Sequence, residues 1–164
     1  MCGFFGLINF ENKDKHFISS SLKKGIKLLN HRGPDDCRHW VSDDANVGLS
    51  HVRLSIIDLE TGDQPMISND SRFVIVYNGE IYNYKDLKHE IGSKNFSTNS
   101  DTEVIIEGYR KWGTKVLDKL RGMFSFCIWD KYTNKLIAYR DRFGQKPLFY
   151  FNDKNFNYWG RERR

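Results

Sequence analysis

The sequence predicts an α+β fold with largely antiparallel sheets and helices packed outside them. Three observations carry that prediction. Short apolar runs bounded by Gly, Asn, Asp and Pro outnumber the helical stretches. Their order is strands, helix, strands, helices, strands, joined mostly by short turns, which suits antiparallel pairing. The chain has 164 residues, 39% of them hydrophobic and 15% aromatic, enough apolar matter for one domain and too much for a disordered chain.

The elements follow in order. Cys2-Gly-Phe-Phe-Gly-Leu-Ile-Asn-Phe reads as a Gly-punctuated strand. Phe17, Ile18, Leu22, Ile26 and Leu29 recur at helical spacing, with Lys23, Lys24 and Lys27 on the other side. The cluster His31-Arg32-Gly33-Pro34-Asp35-Asp36 ends that helix. Strands are expected at 39–42 and 47–57, and Gly62, Asp63 and Pro65 mark a turn. Phe73-Val74-Ile75-Val76-Tyr77 is a buried-strand run. It ends in Asn78-Gly79, the dipeptide that most readily takes positive φ, so an ordinary hairpin turn is the plain local reading. A short helix is expected over residues 84–91. Ser100 reads as a helix N-cap with Glu103 three residues on, and the helix behind it runs to Gly113. Strands at 124–129, 136–139 and 148–151 complete the set. No repeat, low-complexity tract or interior linker interrupts it.

Composition narrows the function. No apolar run approaches the roughly 18 residues of a membrane span. No charged-then-apolar leader is seen, so a cytoplasmic location is expected and a membrane partner is not. The net charge is +5, yet residues 140–164 alone hold seven Lys/Arg against three Asp/Glu. The remainder is nearly neutral and shows no basic stripe, so nucleic acid is not an expected partner. Cys2, Cys37 and Cys127 are widely spaced and form neither a disulfide framework nor a metal knuckle. No His/Cys/Asp cluster has metal-ligand spacing, so no metal is expected. Cys127 lies in an apolar run and reads as a packing residue. Cys37 has no evident role.

Cys2 is the unusual cysteine. Removal of Met1 would leave a chain that begins with a thiol and a free α-amine on one residue. Such an amine titrates at about 7.7–8.0 and is well placed to act as a base at cellular pH. It could take the thiol proton directly or through one water, the self-contained arrangement of an N-terminal nucleophile. Taken alone, position 2 reads more plainly as a small residue tolerated after Met.

The neighbouring motifs decide between those readings. Cys2-Gly-Phe-Phe-Gly, His31-Arg32-Gly33-Pro34-Asp35, Arg53-Leu54-Ser55-Ile56-Ile57-Asp58, Asn78-Gly79-Glu80-Ile81-Tyr82-Asn83, Ser100-Asp101-Thr102-Glu103, Gly122-Met123-Phe124-Ser125-Phe126 and the run from Arg140 to Leu148 occur in order. In that order and spacing the chain resembles the class II glutamine amidotransferase domain, nearest to the glutamine-hydrolysing asparagine synthetases. The resemblance covers residues 2–151. It implies the N-terminal nucleophile hydrolase fold, an αββα sandwich of two stacked antiparallel sheets. It also implies hydrolysis of L-glutamine to glutamate and ammonia.

The resemblance assigns roles residue by residue. Cys2 is the expected nucleophile, with the Asn78 side-chain amide and the Gly79 backbone N–H as the expected oxyanion donors. Arg53 is expected on the substrate α-carboxylate and Asp101 on its α-ammonium. Leu54, Ser55, Ile56, Ile57 and Glu80 are expected to line the pocket. Read without the register, Arg53 is a surface cation and Asp101 a capping residue beside Ser100. A thiol–imidazole pair between Cys2 and His31 or His51 is not expected, because the family matches the cysteine with its own amine.

Two departures from the family stand out. Relatives continue into a synthetase domain with a Ser-Gly-Gly-x-Asp-Ser pyrophosphate loop, and this chain contains neither that loop nor a Walker-type one. ATP and magnesium are therefore expected only for a synthetase carried elsewhere, and a separate synthetase chain is the expected protein partner. Residues 152–164 form an atypical basic end, read as a truncation or frameshift of a longer gene, with a genuine stand-alone subunit as the other reading. An uncovered sheet edge or apolar face is expected to follow. Two rival functions remain: a non-catalytic fragment or binding module that retains the fold, and an N-terminal nucleophile hydrolase for another amide. Arg53 and Asp101 argue against the second.

Overall fold

The computed structural model describes residues 2–11, 13–54, 62–92, 94 and 96–160. Among these described residues, nine strands form two antiparallel sheets. β1 (Gly3–Asn9), β2 (Asp36–Val41), β3 (Val47–Arg53), β8 (Phe149–Asn152) and β9 (Phe156–Gly160) make a five-stranded sheet in the order β2-β3-β1-β9-β8. β4 (Met66–Ile67), β5 (Phe73–Ile81), β6 (Gly122–Asp130) and β7 (Lys135–Arg140) make a four-stranded sheet in the order β4-β5-β6-β7. Helix α1 (Lys15–Leu29) packs on β1, β2 and β3. Helices α2 (Tyr84–Ile91) and α3 (Asp101–Trp112) pack together, with α3 on β5 and the short α4 (Val116–Lys119) beside it. The result is a four-layer αββα sandwich.

Strand alternation sorts the core into three layers. Phe4, Val47, Leu49, Val74, Val76, Cys127, Trp129 and Trp159 meet between the sheets. Leu7, Ile18, Leu22, Ala45 and Phe156 fill the space under α1. Phe73, Ile75, Tyr77, Ile105, Ile106, Phe126 and Ile128 belong to the layer under α2 and α3. Most elements start and stop where the sequence places them. Asp14 caps α1 by accepting from the Phe17 N–H at 2.8 Å. Gly113 ends α3 at φ 59°, a conformation that favours glycine.

Four local expectations are corrected. Asn78-Gly79 is no turn: β5 runs straight through it to Ile81, with Asn78 opposite Ser125 and Gly79 opposite Phe124. The glycine is required by close approach, since a Cβ there would overlap the Met123 carbonyl and lie 2.7 Å from Phe124 Cα. Glu103 does not reach back to Ser100. It accepts from the N–H and hydroxyl of both Ser97 and Thr98, fixing the turn before α3. Phe17 is 40% exposed at the rim of the core, where it stacks on Phe156. The chain also carries a further strand, β9, inserted between β1 and β8. The expected strand 47–57 is present as β3 to Arg53. Residues 55–57 and the basic residues 161–164 lie outside the described residues.

Candidate active site

Register brings three of the sequence-predicted residues to one end of the sandwich. β1 and β3 are antiparallel, with Gly3 opposite Val52, so the start of β1 lies beside the end of β3. Phe4, Val47 and Leu49 point between the sheets. By alternation Cys2, His51 and Arg53 take that same side. On the facing sheet Val74 and Val76 point inward, and alternation puts Asn78 with them. A thiol, a guanidinium and a carboxamide thus share the inter-sheet layer where its apolar filling stops.

The thiol is held at the β3 end. The Leu54 N–H donates to Cys2 Sγ at 3.4 Å, and Sγ lies 3.8 Å from the Leu54 carbonyl oxygen. Arg53 is 8% exposed and its Nη1 bonds Asp63 Oδ1 at 3.2 Å. Asp63 also meets Arg38 at 2.6 Å. The guanidinium therefore already accommodates a carboxylate. Asn78 is 4% exposed, and its Nδ2 is buried with no hydrogen-bond partner among the described residues. A buried N–H donor without an acceptor is costly and uncommon, and it marks a place where charge can be met.

Adjacent residues of a strand face opposite ways, so Tyr77 points toward α3. Its hydroxyl donates to Asp101 Oδ2 at 2.7 Å, and the Ile81 N–H donates to the same oxygen at 3.0 Å. Asp101 opens α3, where Ser100 Oγ caps by accepting from the Thr102 N–H at 3.2 Å. Burial raises the Asp101 carboxyl above the usual carboxylate range and the charge of Glu80 adds to it, while the Tyr77 and Ile81 donors oppose. Glu80 itself is exposed. Burial also raises the Tyr77 phenol well above its ordinary value, and negative charge on Asp101, Glu80 and Cys2 acts in the same direction.

His51 is no base for the thiol. It is buried, and its Nε2 lies 3.1 Å from the Tyr77 carbonyl oxygen, across the gap between the sheets. The Tyr77 N–H donates to Gln64 Oε1 at 2.6 Å. Sequence reasoning missed Tyr77 and Gln64 and gave His51 no role. Their positions follow from cross-sheet bonds that no local pattern encodes. Of the expected pocket residues, Leu54 lies against Cys2 Sγ and Glu80 is exposed, and Ser55, Ile56 and Ile57 lie outside the described residues. Among the described residues no group of three or more His, Cys, Asp or Glu could hold a metal ion.

Comparison with known proteins gives the site its family. Asparagine synthetase 2 (glutamine-hydrolyzing) of Bacillus subtilis is 44% identical over 151 residues, 92% of this chain and 20% of its own length. Asparagine synthetase 1 (glutamine-hydrolyzing) of the same organism is 41% identical over 100% of this chain and 26% of its own length. The chain thus spans about a quarter or less of the length of these relatives. The glutamine phosphoribosylpyrophosphate amidotransferase of B. subtilis shares the fold, with a TM-score of 0.75, 20% identity, and coverage of 97% of this chain and 41% of that one. Residues 1–164 match the family model for the glutamine amidotransferase domain, and with it these relatives show that the chain belongs to the class II glutamine amidotransferase family.

Proposed function

We propose that this domain hydrolyses the side-chain amide of L-glutamine, with Cys2 as nucleophile. The observation that carries the reading is the buried, unpartnered Asn78 Nδ2 on the layer shared with Cys2 and Arg53. A tetrahedral intermediate develops negative charge on the former amide oxygen, and a preorganised donor stabilises it without reorganising.

The chemistry balances within the chain's own groups. Removal of Met1 frees the Cys2 α-amine, which accepts the thiol proton. Sγ then bonds the amide carbon and its oxygen becomes the oxyanion, met by Asn78 Nδ2 and the Gly79 N–H. The amine returns the proton to nitrogen, and ammonia leaves with the C–N bond pair. Water, deprotonated by the same amine, attacks the thioester carbon, the C–S bond breaks with its pair going to Sγ, glutamate leaves, and the amine returns the proton to Sγ. Arg53 holds the substrate α-carboxylate in place of Asp63, and Asp101 holds the α-ammonium. Leu54 and Glu80 line the pocket. The ammonia passes to an aspartate or sugar-acid acceptor on an ATP-dependent synthetase in the same cytoplasm. ATP and magnesium belong to that partner.

Purified protein should release ammonia from L-glutamine, and Cys2→Ala should lower turnover at least about 10³-fold, the scale of losing a nucleophile. Intact mass should show Met1 removed from the active molecules. Equal rates in the two proteins would refute the proposal. Saturable glutamine binding without turnover in the demethionylated protein would favour a binding module instead.

A further inference from the structure

Tyr77 is fixed at three points that lie far apart in sequence. Its N–H donates to Gln64, its carbonyl meets His51 Nε2, and its hydroxyl donates to Asp101 Oδ2. The residue is 3% exposed, and a phenol would not be buried so deeply without an acceptor. Asp101 is that acceptor. The Ile81 N–H bonds the same carboxylate oxygen, so neither bond uses Oδ1. Ser100 caps α3 through the Thr102 N–H, which also acts on the Asp101 carboxylate beside the Tyr77 and Ile81 donors.

We propose that Tyr77 is a positioning residue that sets the selectivity of this site for a ligand carrying an α-ammonium group. Its hydroxyl locks one oxygen of Asp101 and directs the other at the ammonium. The inference rests on glutamine being the ligand and adds the residue that decides which part of glutamine is recognised. Packing alone does not explain the hydroxyl, since a phenylalanine ring would fill the same space beside Phe73, Ile75 and Phe126. A carboxylate held by two donors is preorganised, and losing one frees it to rotate and weakens its bond to a cation.

The experiment compares L-glutamine with glutaramate, which is glutamine without its α-amino group. In Tyr77→Phe, kcat/KM for glutamine should fall about tenfold, mainly through KM, while the value for glutaramate stays within about twofold. Asp101→Asn should lose the same preference, and the double variant should lose little more than either alone. Parallel loss on both substrates, or no loss on either, would overturn the inference, because a structural role would not discriminate the two. If the wild type turns over neither substrate, the glutaminase reading fails, and binding decides the inference. Titration calorimetry on Cys2→Ala protein should then show glutamine preferred over glutaramate, with Tyr77→Phe in that background removing about tenfold of glutamine affinity only. An unchanged preference, or none to begin with, would overturn it.

Discussion

At His51, burial sets the protonation state. The imidazole is buried on the inner face of β3, and desolvation lowers its pKa to about 4; the Arg53 charge adds to this, and the Tyr77 carbonyl and Asp36 oppose it. The ring is therefore neutral at cellular pH and donates from Nε2 to the Tyr77 carbonyl. An unfolded histidine titrates near 6.5, so between pH 6.5 and about 4 the unfolded chain binds the extra proton. Stability should fall as pH drops through that window, by up to about 3 kcal/mol in all. The depressed carboxylates Asp130, Asp141 and Glu103 lose their contributions below about pH 4, and the raised Asp101 partly offsets the slope. His51→Gln keeps a donor and removes the titration. Its melting temperature should vary much less between pH 7 and pH 5 than that of the wild type. Equal slopes in thermal scans would show that another group governs this range. The site was unevenly legible at this scale. The chemistry of a freed amine singles out Cys2, but Cys2, Arg53 and Asp101 all need the family register before a role can be assigned. Tyr77 reads as one more apolar strand residue, because its role lies in bonds to positions 51, 64 and 101.

Elements were legible where periodicity is strong and obscure where a side chain does the work of a turn. The spacing of Ile18, Leu22 and Leu29 places α1, and Ser100 places the start of α3. Asn78-Gly79 misleads, because the same dipeptide that suits a hairpin also suits a strand pressed against its neighbour. β9 was missed because Phe156, Trp159 and Gly160 are buried one strand deep in a sheet whose pairing is non-local. The loop after β7 is organised by one carboxylate. Asp141 accepts from the N–H groups of Phe124, Phe143, Gln145 and Lys146 at 2.9–3.2 Å, and these donors hold its pKa below the usual range against burial. It is 4% exposed. Asp141→Ala should cost about 3 kcal/mol, or roughly 6–12 °C in melting temperature, by stranding several buried donors. Asp153 also accepts two N–H groups, from Asn155 and Phe156, but is exposed. Asp153→Ala should cost no more than about 1 kcal/mol. Similar losses in the two variants, measured by thermal denaturation, would show that burial of the donors is not the deciding term.

The whole molecule is covered unequally. The four-stranded sheet lies under α2 and α3, but α1 lies mainly over the β1–β3 part of the five-stranded one and reaches β9 through Phe17 against Phe156. Beside α1 runs a groove of about 840 Å³ floored by β9 and β8, with Leu28, Leu29, Leu148, Phe151, Tyr158 and Trp159 among its walls. Tyr150 is 85% exposed, Phe151 61% and Leu28 51%. The four residues of β8, the last strand in that sheet's order, are all exposed. An apolar groove next to a sheet edge attracts dyes and other chains, and the net charge of +5 is the main force keeping copies apart. The native protein should therefore bind an anilinonaphthalene dye with enhanced fluorescence at neutral pH. It should also self-associate more as salt screens the charge, the opposite of an ion-pair contact. Leu28→Lys with Phe151→Lys should reduce both signals and leave the melting temperature within a few degrees, since the two side chains stand mostly in water. Dye fluorescence and sedimentation that do not change in the double variant would place the sticky surface elsewhere on the sandwich.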